Sequence, residues 1–348
     1  MTGFLGSSTR RKLAAAVSAA LLAGVVAYLV AAPRPGKTEK PSAATPAPTT
    51  GPGAGAKPGT ATSRSSGNWS DAAVWGGRVP GPGDLVVVSS GTTVTYDQAS
   101  AAVAGVEVQA GATLAFADDQ SATLRTTKNV IVQGTLRMRP ASPSVTQLLQ
   151  FIDVNESKFA GGGLEPIPSD VGLWVVGAGK LDLSGSPKTG WTRLAGGLDQ
   201  GATSVRLQKA PQGWRPGDQI SIAPTGKPSG NDHDDPAFNQ FDERTITAVS
   251  GDTITLGSAV AYAHPKVNDT WTAEVMNLTR NVRIEGGPKG HSHVFIHSTS
   301  PQHIDYVGIR YMGPRKDSDR DGFSDAVLGR YGLHFHLNGD SDRGITVQ

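Results

Sequence analysis

No cysteine occurs anywhere in the 348 residues. Disulfides, thiolate nucleophiles and Cys-ligated zinc are therefore excluded, and an exported chain of this kind must be held by its core and backbone ladders. Aromatic residues are scarce at 6%, and charged residues make up only 18% with a formal net charge of +2. Lys and Arg beyond residue 60 are scattered among Asp and Glu. No basic stripe exists of the kind that tracks phosphates, which argues against a nucleic-acid partner. What the chain has in quantity is 44 glycines and 23 prolines, the composition of turn-dense β-structure.

One long apolar run stands apart. Residues 13–32 read LAAAVSAALLAGVVAYLVAA, with Arg10, Arg11 and Lys12 just before them. Twenty such residues make a helix of about 30 Å, enough to cross a bilayer. The positive flank keeps the short N-terminus cytoplasmic and places the bulk of the chain outside. Ala31 and Ala32 are followed at once by Pro33, an unfavourable residue after a cleavage site, so residues 1–32 read as a signal-anchor of a single-pass membrane protein. Cleavage would make the protein secreted instead. Residues 33–67 are Pro, Ala, Gly, Thr and Ser with almost nothing large and apolar. They cannot bury a core, and the expectation is a disordered spacer.

From Asn68 the texture becomes short alternating runs separated by Gly, among them DLVVVSSG, GVEVQAG, NVIVQG and TLRMR. These are strands of an all-β protein. Val106 and Val108 precede Val130 and Val132 by 24 residues in two similar blocks. That period predicts stacked coils of a β-solenoid, with a β-sandwich as the alternative. Three units are expected, over 68–195, 196–275 and 276–348. The second is antiparallel, with a hairpin turn at Ser250, Gly251 and Asp252. The third begins a parallel β-helix that stops at Gln348 without a capping coil, as a truncated product would.

Six of the eight histidines fall between His291 and His336. In LHFHLNGDSD the strand period of two places Leu333, Phe335 and Leu337 on one face and His334, His336 and Asn338 on the other. Asp340 and Asp342 follow. Two imidazoles with carboxylates beyond them suit acid/base chemistry on a sugar, with a carboxylate raising the imidazole pKa, and they equally suit a solvated strand face. Asp340, Asp342 and Asp305 are the candidates for the carboxylate pair a glycosidase needs. His293 and His297 share a strand face with Phe295, and a structural role suits them. Asp317, Asp319, Asp321 and Asp325, with Gly322 between them, occupy the positions of a calcium loop, but Leu328 stands where the closing Glu belongs. The expectation is a variant calcium site or a solvated acidic turn. Trp69 and Trp75 read as core residues, with sugar stacking as the alternative. The stretch NDHDDP at 231–236 reads as a loop insertion.

The run NWSDAAVWGGRVPGPGDLVVVSSGTTVTYD followed by GVEVQAGATLAF resembles the start of the G-eight domain, named for its eight glycines and found in fibrocystin-like and hyaluronan-degrading proteins. KLDLSG, WRPGDQISIAPT and AEVMNLTRNVRIEG resemble segments of the hyaluronan-degrading branch in the same order. GRYGLHFHLNGD is similar to that branch's GRYPIHFHxxGD, with Gly332 and Leu333 replacing Pro and Ile. The acidic loop before it is an insertion. The resemblance implies a G-eight domain, then an antiparallel unit, then a right-handed parallel β-helix. It implies an extracellular polysaccharide as partner, calcium, and hyaluronidase-like hydrolysis. On that reading His334, His336 and Asp340 are catalytic, and Arg330, Tyr331 and Asn338 bind substrate. The rival expectation is a non-catalytic surface adhesin for glycans or proteins.

Overall fold

The computed structural model describes residues 58–226, 236–268, 270–317, 324–342 and 345–347. The apolar run 13–32, most of the spacer, the acidic insertion at 231–235, and Asp319 and Asp321 lie outside them. Among the described residues no helix is long and apolar enough to cross a membrane. The described residues are all-β, relieved only by short 3-10 turns.

Three parallel sheets form the walls of a β-helix. Face A stacks Thr60–Thr62, Leu85–Val88, Gly105–Val108, Val130–Val132, Leu173–Gly177, Val294–Ser298 and His334–Phe335. Face B stacks Gly67–Asn68, Thr93–Tyr96, Thr113–Phe116, Thr135–Met138, Lys180–Ser184, His303–Asp305 and Thr346–Val347. Face C contains Ala101–Val103, Ala122–Thr126, Gln147–Phe151, Val282–Glu285 and Val307–Arg310. The 24-residue spacing is one turn of this helix, since Val106 pairs with Val130 and Val108 with Val132. The solenoid, not the sandwich, is the architecture. Strands expected in two separate units, 68–195 and 276–348, pair directly in one stack, as Leu173–Gly177 does with Val294–Ser298.

Alternation explains the core. On face A, Val86, Val106, Val130, Leu173 and Val294 form one inward column, and Val88, Val108, Val132, Val175 and Ile296 the next. All ten are buried, and each contributes about 1.5–3 kcal/mol. At the corner between faces A and B the coils close so tightly that no side chain fits. A Cβ on Gly179 would lie 2.1 Å from the Val132 carbonyl oxygen, and one on Gly134 2.3 Å from that of Ala112. Trp69 and Trp75 are both buried, with ring centroids 5.0 Å apart, so the core reading of these indoles holds.

Between Ser184 and Val282 the chain leaves the helix and builds an antiparallel sheet. Its spatial order is Trp191–Arg193, Glu274–Asn277, Gln219–Ile222, Asp242–Ser250, Thr253–Leu256 and Ser204–Arg206. The ends then meet. Gln208 N–H donates to the Arg193 carbonyl at 2.8 Å and Ala195 N–H to that of Arg206 at 2.9 Å, beside a Leu194–Leu207 bridge. The sheet is thereby closed into a small barrel around its own core of Val205, Ile220, Ile222, Ile254 and Val275. Its hairpin turns at Gly251, φ +59°, and Asp252, between paired Ser250 and Thr253.

Candidate functional site

Three histidines, His297, His334 and His336, converge on the outer side of face A. Trp174, Phe295 and His334 stand in register on three successive strands. Because Val294, Ile296 and Phe335 point into the core, Phe295 and His334 must point away from it, and His336 is on the same side because its ring stacks on Phe295. Phe295 is nevertheless buried, since other rings cover it. His334 meets it edge-on at 5.3 Å and His336 stacks on it at 5.5 Å. His297, one strand below, lies 6.2 Å from His336, and exposed Tyr331 lies 4.9 Å from His334.

Hydrogen bonds at Nδ1 set the tautomers of these rings. His334 Nδ1–H donates to the Gly329 carbonyl at 3.1 Å, which leaves Nε2 as an acceptor for His336 Nδ1–H at 3.2 Å. His297 Nδ1–H donates to the His336 carbonyl at 2.8 Å. The unprotonated Nε2 atoms of His297 and His336 are thus the acceptors this ledge presents. Burial first, and then the neighbouring His334, His297 and Arg330, lower the pKa of His336. The expected upward shift by a carboxylate does not occur there. His336 is neutral at pH 7, an acceptor or base and not a proton donor.

The other expected residues divide. Asn338 Oδ1 accepts from Ser298 N–H at 3.0 Å, which ties the turn after the ledge to the strand below. Asp340 is exposed in the 3-10 turn Gly339–Asp342. Leu337, expected on the inner face with Leu333 and Phe335, is instead 77% exposed at φ +51°, because the strand ends at Phe335 and alternation ends with it. Arg330, expected to bind substrate, is fully buried. Its Nε donates to Asp170 Oδ2 at 2.8 Å, Nη2 donates to the Gly162 carbonyl, and the guanidinium lies 4.4 Å over Trp174. It positions the chain that carries Tyr331 and His334 and presents nothing to a ligand.

His293 is structural. It is wholly buried against Trp174, its Nε2–H donates to the Asp170 carbonyl at 3.1 Å, and burial pushes its pKa down to about 4. Asp305 lies on face B with His303, Nε2 to Oδ2 3.0 Å, and so belongs to a different wall from the ledge. Around the acidic loop, Arg315–Asp317 and Ser324–Ala326 pair antiparallel, bringing the two flanks of 318–323 together. Among the described residues no group of three His, Asp or Glu is placed to hold a metal.

Sequence reading missed Asp170 and Trp174, whose partners come from 120 to 160 residues away and leave no local signature. It also missed the exposed indoles. These are Trp191 and Trp271, on the barrel, each 57% exposed.

The fold and site define a parallel β-helix protein with an imidazole ledge on one wall and an antiparallel barrel inserted. Residues 74–195 match the model of the G8 domain, so the chain carries a G8 domain. Its curated relatives include human fibrocystin-L, 32% identical over 234 residues, and mouse fibrocystin-L, 31% identical over 232 residues. Each alignment covers 63% of this chain, and the chain spans about 5% of the length of these relatives. Solved structures that align include the tailspike gp61 of Pseudomonas phage phi297, at 13% identity and TM-score 0.24, over 62% of this chain and 27% of that one. Another is the Gp54 tailspike of Acinetobacter baumannii bacteriophage AP22 in complex with capsular saccharide, at 12% identity and TM-score 0.23, over 58% and 29%.

Proposed function

We propose that this chain is an extracytoplasmic glycan-binding protein, anchored in the membrane through residues 13–32, whose binding surface is the ledge of His297, His334 and His336 with Tyr331. The observation that carries the reading is the convergence of three imidazoles on one outer wall, with tautomers set by hydrogen bonds at Nδ1 and an exposed phenol beside them. Neutral imidazole acceptors beside an aromatic face suit sugar hydroxyls and the apolar face of a pyranose. The hyaluronidase-like reading makes His334, His336 and Asp340 catalytic. It is the less favoured, because His336 is disposed as an acceptor and Asp305, a candidate second carboxylate, stands on another wall. Calcium at Asp317, Asp319, Asp321 and Asp325 is proposed on their spacing and on the paired strands that flank the loop.

The test uses the full chain against a panel of glycosaminoglycans and neutral polysaccharides. His336→Ala with Tyr331→Ala should reduce binding at least tenfold with little change in melting temperature. Binding that is unchanged in the double variant removes the ledge as the site. Shortening of any polymer that His336→Ala abolishes establishes the hydrolytic reading instead. A melting temperature indifferent to several millimolar calcium removes the metal.

A further inference from the structure

The barrel carries a second aromatic surface that the ledge does not need. Trp191 and Met276 are cross-strand partners on its outer wall, and Arg193 is paired with Glu274 two residues along. Inward-pointing Val275 between Glu274 and Met276 confirms that these four side chains face out. Trp271 joins them from the adjoining turn, where reciprocal bonds with Val267, Val267 N–H to Trp271 O at 2.8 Å and the reverse at 3.1 Å, hold its backbone. The Arg193 guanidinium lies 4.7 Å from the Trp271 ring centroid and 6.0 Å from that of Trp191. Its Nη2 donates to Glu274 Oε1 at 3.1 Å. Two indoles are thus pinned about one guanidinium, each with more than half its surface in solvent.

Such exposure is unusual for indoles and marks a contact surface. Its size selects the class of partner. Two indoles of up to about 250 Å² at this exposure, with half-exposed Val267 and Met276, offer roughly 400 Å² of apolar surface, about half of the ~800 Å² per side of a stable protein interface. Exposed Glu274 stands at its edge. One to three sugar rings match that footprint. Charge narrows the ligand further, because Arg193 is already balanced by Glu274. The pair offers donors and an acceptor side by side, as hydroxyls require, and no excess positive charge for a carboxylate or sulfate.

We infer that Trp191, Trp271, Arg193 and Glu274 form a binding platform for a neutral oligosaccharide. Pyranose faces stack on the two indoles, and ring hydroxyls bond to the free N–H groups of Arg193 and to Glu274. The platform stands apart from the ledge and does not depend on it.

Tryptophan fluorescence tests it directly, since Trp69, Trp75, Trp174 and Trp214 are buried and the two platform indoles are exposed. The full chain is titrated with cello-hexaose, chito-hexaose and a hyaluronan hexasaccharide. The expected result is a saturable change with a neutral hexasaccharide and at least a tenfold loss of affinity in Trp191→Ala and in Trp271→Ala. Melting temperatures should stay within a degree or two of wild type, because both rings are exposed. No response to either neutral sugar, a response only to hyaluronan, or equal affinity in the double Trp variant overturns the proposal. So does concentration-dependent self-association that Trp271→Ala abolishes, which would assign the surface to a second copy of the chain.

Discussion

Arg330 and Asp170 are 160 residues apart in sequence, yet Nε and Oδ2 meet at 2.8 Å with both side chains excluded from solvent. The same carboxylate accepts from Ala160 N–H at 2.6 Å, Gly161 N–H at 2.9 Å and Ser169 Oγ–H at 2.7 Å. Burial alone would raise the Asp170 pKa, but these four donors outweigh it and hold the pKa below the usual carboxylate value. A loop of one coil is thereby locked to the segment that delivers Tyr331 and His334.

Breaking that lock should be costly, because either partner alone is a buried uncompensated charge. Arg330→Met and Asp170→Ala are each expected to lose about 3–5 kcal/mol in urea denaturation. The double variant should lose clearly less than the sum. Additive losses would show that the two groups act separately.

His293 makes the fold sensitive to acid. Its native pKa is about 4 against an ordinary 6.5, so between those values the unfolded chain binds a proton that the native chain refuses. Stability from this group is complete above about pH 6.5, falls as the pH drops toward 4, and levels off below, a loss on the order of 3 kcal/mol. His293→Gln should flatten this limb of the stability–pH curve. A wild-type curve level between pH 6.5 and 4 would contradict the assignment.

The tight corners of the helix make a third expectation. Gly179→Ala drives a methyl group into the Val132 carbonyl, so the two coils must part there, at a cost of about 1–3 kcal/mol or more. Gly196→Ala, where nothing lies within 4 Å of the added atom, is the control. It should be neutral within about 0.5 kcal/mol.

The helical repeat was legible because it is local arithmetic. A 24-residue spacing of Val pairs became strand register with no correction, and alternation put His334 outside next to inward Phe335. Alternation failed at Leu337 because it holds only while the strand lasts. Arg330 was misread for a different reason. It sits in a polar motif, GRYGLHFH, and nothing nearby in sequence reveals that Asp170 and Trp174 enclose it. Burial of a charge is decided by long-range partners. The same holds for the exposed indoles, since TGWTRL and DTWTAE look like any half-buried strand until the barrel closes and leaves Trp191 and Trp271 outside.

The protonation of His336 decides between a binding ledge and an acid catalyst. Burial lowers its pKa first, and protonated neighbours at His334 and His297 would lower it further, with Arg330 adding a smaller effect. In an NMR titration its imidazole should therefore protonate below pH 6.5, and the stability it confers should be complete above that value and decline as the pH falls. His334→Gln removes the neighbouring imidazole whose like charge opposes protonation of His336, and it should move the His336 titration upward, toward the ordinary value. Glycan binding that uses Nε2 as an acceptor should weaken over the same fall in pH, as that atom gains a proton and becomes a donor. If His336 instead titrates above 6.5 in the wild type and drops in Asp340→Asn, a carboxylate is its dominant partner. The imidazole would then be charged near neutral pH, and the ledge would hold the proton donor that hydrolysis requires.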